Sequence, residues 1–309
     1  MAKSRKQEEL LASLAEVRED PTSDAGMKVL GQILKSKSAI AIAQAAKVIG
    51  DAEIRSLIPD LVACFPQFMS RPAETDPGCN AKRRIAEALY RMEYADETLF
   101  LQGIHHVQPE PVWGGTTDTA PGLRGMCALG LVRLHYPQVM TELADLLADP
   151  EPEARIGAVR AIAYTSDPQA VPLLRFKVHT GDIDSQVMSE CFIALLQLAP
   201  QASLPFVGRF LNGASAEIAE MAALAIGESR LPEAFSILHH GWEHCRPTEL
   251  RKAFLFAIAM LRQDAAFDFL LDLVQSGKPM DRDGAIAALQ IYQYDEALWQ
   301  RVEQAMRQP

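Results

Sequence analysis

The sequence predicts an all-α, right-handed solenoid of about nine antiparallel helix pairs, and three observations predict it. The first is a turn phrase that keeps returning: Pro137-Gln138-Val139, Pro168-Gln169-Ala170, Pro200-Gln201-Ala202, Pro232-Glu233-Ala234, Asp264-Ala265-Ala266 and Asp295-Glu296-Ala297. The last residues of these phrases are 31, 32, 32, 32 and 31 positions apart. A fixed period of this length marks a stacked repeat protein. The second is composition: 49% of the 309 residues are hydrophobic and only 7% aromatic. Alanine and leucine dominate, which favours close helix packing over strands. The third is that each interval holds two apolar stretches at helical spacing with a breaker between them.

The interval 149–181 illustrates the unit. Asp149-Pro150-Glu151-Pro152-Glu153 places acids and prolines where a first helical turn accepts them. Ile156, Val159, Ile162 and Ala163 then repeat at helical spacing over Ala154–Tyr164, and Thr165-Ser166-Asp167-Pro168 breaks the run. A second helix over Gln169–His179 carries Val171, Leu173, Leu174 and Val178, and Gly181 ends it. Continuing this register gives pairs at 6–36, 37–70, 78–104, 119–148, 150–180, 182–212, 214–245, 246–277 and 278–309. The whole chain then reads as one solenoid, with capping helices in 1–36 and a capping repeat in 278–309. The polar ends Lys3–Glu9 and Gln300–Gln308 suit open terminal repeats. Two insertions break the beat, at 70–78 and 105–121.

The residues Asp149, Pro150, Arg155, Ala158, Ala161, Asp167, Pro168, Ala170 and Leu173-Leu174 resemble the HEAT-like repeat family, in the short variety first noted in phycobilin lyases. The resemblance implies that the arginine recurring as Arg124, Arg155, Arg251 and Arg282 ties one repeat to the turn aspartate of its neighbour. Met188 and Ile218 stand near that position in two middle repeats. For function the resemblance allows a bilin-lyase-like, chromophore-handling protein, with a residue such as His105 assisting, or a repeat-fold alkylpurine DNA glycosylase.

Charge weighs against the second. Residues 96–309 hold 16 Lys/Arg against 27 Asp/Glu, and the chain carries a net charge of −10. Such a surface repels phosphate backbones, so nucleic acid is not an expected partner. Lys82-Arg83-Arg84, the densest basic run beyond the N-terminus, reads as a solvated helix face. The five cysteines include no Cys-x-x-Cys pair, and Cys127 and Cys191 fall in apolar helical phrases as small buried hydrophobes. The N-terminal segment lacks the apolar core of a secretory signal, and the longest apolar run, Ala253–Leu261, is about half a membrane span. A cytoplasmic protein without cofactor or catalytic signature is expected, monomeric or weakly homo-oligomeric, with a protein or peptide as partner.

Three groups of residues are candidate sites, the first two for binding that partner. Trp113 lies between Pro-rich and Gly-rich segments in the longer insertion, where a large aromatic anchors an interface or folds back over the junction of repeats three and four. His105, His106 and Glu110 could line the same patch. The second group is the exposed side of the second helices. With Ala170, Ala202, Ala234 and Ala266 pointing into the core, Leu173-Leu174, Pro205-Phe206, Ile237-Leu238 and Phe269-Leu270 follow them inward. In such solenoids the second helices line the concave surface, so Arg175-Phe176, Val207-Gly208, His239-His240 and Leu271-Asp272 then face the concavity. The third is His239-His240-Gly241-Trp242-Glu243-His244-Cys245, in which residues 240–244 match the His-x-x-Glu-His pattern of inverted zinc proteases; His240 and His244 share a helix face and could chelate an ion, with Glu243 as base. An ordinary surface cluster is the plainer reading, with Trp242 in the core.

Overall fold

The computed structural model describes residues 2–213 and 215–307, and side chains from Glu8 onward. Parts of the expected polar ends, the side chains of Lys3–Gln7 and all of Gln308, lie outside the described residues, as does Ala214. Among the described residues there are 19 α-helices and one two-stranded hairpin. The fold class is the expected one, an all-α solenoid of paired helices. The chain divides into two compact units, Met1–Ser166 and Asp167–Pro309.

The first unit contains α1 (Ala2–Val17), α2 (Asp24–Leu34), α3 (Ala39–Asp51), α4 (Ile58–Cys64), the short α5 (Pro72–Thr75), α6 (Asn80–Arg91) and α7 (Thr98–Ile104). The hairpin β1 (Pro109–Val112) and β2 (Gly115–Asp118) follows, then α8 (Pro121–Arg133), α9 (Val139–Leu146) and α10 (Pro152–Ala163). Helices α3, α6, α8 and α10 pack side by side as one layer, and α2, α4, α7 and α9 pack against it. Small residues set the spacing. A Cβ on Gly157 would sit 2.5 Å from the Cα of Gly125, so α8 and α10 touch backbone to backbone. Ser23 and Ser38 cap α2 and α3 by accepting from the N–H groups of Gly26 and Ala41. Proline stands first in α8 and α10, where no intrahelical N–H is lost.

The second unit contains α11 (Ala170–Thr180), α12 (Ser185–Leu198), α13 (Pro200–Gly208), α14 (Ala216–Ser229), α15 (Ala234–His244), α16 (Thr248–Met260), α17 (Asp264–Ser276), α18 (Pro279–Leu289) and α19 (Glu296–Arg307). Helices α12, α14, α16 and α18 form its layer, and α11, α13, α15 and α17 pack on it, with α19 on α17. Fully buried Phe192 and Phe254 anchor the core, and truncating either to alanine would cost about 3–5 kcal/mol.

The expected inward register holds in three second helices and slips in the fourth. Ala170, Leu174 and Val178 are buried in α11, as are Ala234 and Leu238 in α15 and Ala266, Leu270 and Val274 in α17. In α13 the buried residues are Ser203, Leu204, Phe206 and Val207, so Phe206 points inward as expected, while Ala202 and Pro205 are exposed and Val207 is not. Pro205 supplies the physical reason. It sits inside α13 on the exposed side and has no N–H to donate to the preceding turn.

Candidate functional site

The longer insertion is an antiparallel hairpin pairing Pro109 with Asp118, Glu110 with Thr117, Pro111 with Thr116 and Val112 with Gly115. Trp113 and Gly114 make the turn. Gly114 has φ +91°, a left-handed conformation that a side chain would strain. Trp113 is 104% exposed, so it does not fold back over a repeat junction. Val112, next to it at the tip, is also exposed, as is Val107 before the start of β1.

The base of this hairpin is the opposite of its tip. Glu110 Oε1 accepts three hydrogen bonds: from Gly78 N at 2.6 Å, Gln108 Nε2 at 2.7 Å and Thr119 Oγ1 at 2.8 Å. Burial opposes its ionisation, but the bonds from Gln108, Gly78 and Thr119 outweigh it and hold the carboxyl below the usual range. Fully buried Gln108 also donates from Nε2 to the Asp76 carbonyl at 2.8 Å. Both Nε2 protons are thereby used, so Gln108 Oε1 accepts, and His106 Nε2, 3.2 Å away, donates. Burial lowers the His106 pKa, which keeps that imidazole neutral. Gly78 and Asp76 belong to the shorter insertion. The two breaks in the repeat beat therefore clasp each other.

Beneath the clasp lies a buried ion pair. Asp76 and Lys82 are both 0% exposed, with Lys82 Nζ 3.1 Å from Asp76 Oδ2. Lys82 Nζ also donates to the Phe68 carbonyl. The Asp76 carboxylate accepts from the N–H groups of Ala81 and Lys82, capping α6 from outside. On the other flank, Asp118 Oδ1 accepts from Gln108 N and Ala120 N, while Oδ2 accepts from Arg124 Nη1 at 2.6 Å. Burial again opposes the Asp118 charge, and these donors lower its pKa nonetheless. Arg124 Nη2 donates to Asp149 Oδ1 at 2.9 Å, and its Nη1 also reaches the His106 carbonyl. The tie between repeats implied by the family resemblance is thus present at Arg124, and again at Arg251, which bonds Asp281 across 30 residues.

Several expectations need correction. Lys82 is not part of a solvated basic face; it is buried, and the run disperses, with Arg83 near Glu153 and Arg84 on Glu87. Glu110 and His106 do not line a patch with Trp113, because both turn into the hairpin base. His105 points elsewhere, its Nε2 3.0 Å from Glu142 Oε2 on α9. Sequence reasoning missed Asp76, Gln108 and Asp118 altogether. The only available signal was that both insertions end in Asp-Pro or Asp-Thr turns just before a helix.

In the second unit the outward residues separate into two kinds. Phe176, His240 and Asp272 are exposed, while Arg175, His239 and Leu271 are half-buried. His239 packs edge-on to Phe269 at 4.6 Å and stacks with Phe235 and Trp242. Arg175 lies over the Phe206 ring at 4.2 Å. Trp242 is buried, as expected of a core residue, with the Arg251 guanidinium over its ring. His240, Glu243 and His244 are exposed at the end of α15 and bring their donor atoms within 4.8 Å of one another. Burial pushes the thiols of Cys64, Cys79 and Cys191 up to about 12 and raises those of Cys127 and Cys245, so all five stay protonated at neutral pH. No helix among the described residues is long and apolar enough to cross a membrane.

No protein-family model matches the chain, and no curated protein does. Solved structures do. A homology model of the full-length AP-3 complex in an intermediate open conformation aligns over 94% of this chain and 52% of that one, with 16% identity and a TM-score of 0.51. The complex of CpcE and CpcF of phycocyanin lyase from Nostoc sp. aligns over 73% and 88%, with 16% identity and a TM-score of 0.37. Human deoxyhypusine hydroxylase in complex with glycerol aligns over 91% and 88%, with 16% identity and a TM-score of 0.30. At this identity the AP-3 likeness concerns the fold alone, a helical repeat.

Proposed function

We propose that the chain is a non-catalytic scaffold that docks a protein partner through the Trp113 hairpin and the exposed residues of its second helices. The observation that carries this reading is a fully exposed tryptophan on a hairpin whose base is held by a buried hydrogen-bonded network. A tryptophan buries roughly 150–250 Å² when covered, and a rigid mount lowers the ordering cost of covering it. Exposed Val112 adds an apolar side chain next to it. The acidic balance of the chain favours a partner with a basic patch around an apolar socket. Five free, protonated cysteines suit a reducing compartment, and the cytoplasm fits this role.

The catalytic alternatives receive less support. A cavity among α6, α7 and α8, lined by Tyr90, Tyr94, Phe100 and Arg133, holds about 210 Å³. A DNA glycosylase would need a cationic groove, which the charge balance opposes. The test is a photo-crosslinking amino acid at position 113 in the cell of origin, followed by titration of the purified crosslinked protein against the unmodified chain. Binding that weakens at least about tenfold on Trp113→Ala supports the reading. Unchanged binding would refute it.

A further inference from the structure

We propose that the last turn of α15 binds a divalent transition-metal ion, zinc(II) in the first instance, through His240, Glu243 and His244. This site is separate from the Trp113 hairpin and does not depend on its role. The three residues stand at positions i, i+3 and i+4 of one helix, and their donor atoms already lie within 4.8 Å of one another. Bonds of about 2.0–2.1 Å at tetrahedral angles require donors roughly 3.3 Å apart, so modest side-chain rotations close the set. All three side chains are exposed, which leaves them free of the core packing. Two imidazoles and a carboxylate suit zinc rather than magnesium, and water would complete the coordination.

Two further features point the same way. His244 Nδ1 lies 2.8 Å from the His240 carbonyl oxygen. A carbonyl only accepts, so Nδ1 carries the proton and Nε2 keeps its lone pair for a metal. Metal-binding histidines are commonly oriented by such an outer hydrogen bond. The ring centroids of His240 and His244 are 4.3 Å apart at the end of α15.

The mount is firm. Gly241 and Trp242, between the ligands, are buried, and a Cβ on Gly241 would meet the Phe254 ring at 2.6 Å. Trp242 packs edge-on against Phe269 at 5.1 Å. His239, held among the aromatics, places Nε2 3.9 Å from Glu243 Oε1 and is a neighbour of the carboxylate rather than a fourth ligand.

The experiment is calorimetric titration of zinc(II) into the metal-stripped full-length chain, purified without a polyhistidine tag, with magnesium(II) as control. One zinc per chain and no magnesium uptake are expected. His240→Ala and His244→Ala should each weaken binding at least about tenfold, and Glu243→Gln about threefold, with melting curves unchanged because the side chains are exposed. Cobalt(II) should give the d–d absorption of a nitrogen- and oxygen-ligated ion, and Cys245→Ser should leave it unaltered. No zinc uptake by the native chain, or equal uptake by the double alanine variant, overturns the proposal. Loss of binding in Cys245→Ser overturns the ligand set.

Discussion

Arg124 and Arg251 occupy the same place in two repeats, and their surroundings differ instructively. In the regular repeat, Arg251 donates to the carbonyls of Trp242 and Cys245 at the end of the preceding helix and reaches Asp281. Its side chain is 19% exposed. In the repeat that carries the insertion, Arg124 donates to one carbonyl, that of His106, and to Asp149, and the hairpin supplies a second carboxylate, Asp118. Its side chain is 3% exposed. The hairpin therefore does not hang from the repeat; it takes over part of the joint between repeats. A surface loop tied this way into the stacking machinery is held still, which is what a docking element needs.

The comparison can be tested from its deepest element outward. Asp76→Ala should have the largest effect, about 3–5 kcal/mol in denaturant unfolding, because it strands the buried Lys82 ammonium and two N–H groups of α6. Arg124→Ala should cost about 3 kcal/mol and Arg251→Ala about 1–2 kcal/mol, since only the first leaves two shielded carboxylates facing each other's joint without their cation. Equal losses would mean that the hairpin adds nothing to the repeat joint. Glu110→Ala should cost about 1–2 kcal/mol and raise hydrogen exchange at Gly78 and the hairpin amides, with Glu110→Gln milder because its amide oxygen can still accept.

Acid should act on the same bonds. Glu110 and Asp118 have folded-state pKa values below their ordinary 4.5 and 3.8, so their contribution is fully present above those values. It is lost as pH falls through the depressed folded-state values. Exchange protection of the hairpin amides should therefore decay below about pH 4 in the native chain, and less steeply in Glu110→Gln. The smallest effect on stability belongs to Trp113→Ala, within about 0.5 kcal/mol, because the side chain touches nothing it would leave empty.

Much of the scaffold was legible because its causes are local. Proline after a turn, alanine at a fixed interval and paired leucines specify helix starts and buried faces without reference to the rest of the chain, and Ala170, Ala234 and Ala266 are buried where that spacing places them. The slip at Ala202 was carried by one residue, Pro205, whose missing N–H outweighs the period. The exposure of Trp113 was half legible, since Gly114 and Gly115 announce a turn but not what lies beneath it. The clasp was not legible. Its bonds join residues 76–82 to 108–119, and only the stacking of α6 against α8 brings those segments together. Lys82 shows the limit most clearly. Its neighbours Arg83 and Arg84 made it read as solvated, while its actual partner lies across a glycine turn in an insertion.

The central claim is that a rigid mount and an exposed tip act as one docking element. It is tested most directly by titrating the partner crosslinked at position 113 against the native chain, Trp113→Ala and Glu110→Ala in parallel. Trp113→Ala should weaken binding by at least about tenfold with stability intact, and Glu110→Ala should weaken it by a smaller factor while Trp113 remains in place. Native affinity in Trp113→Ala would contradict the account.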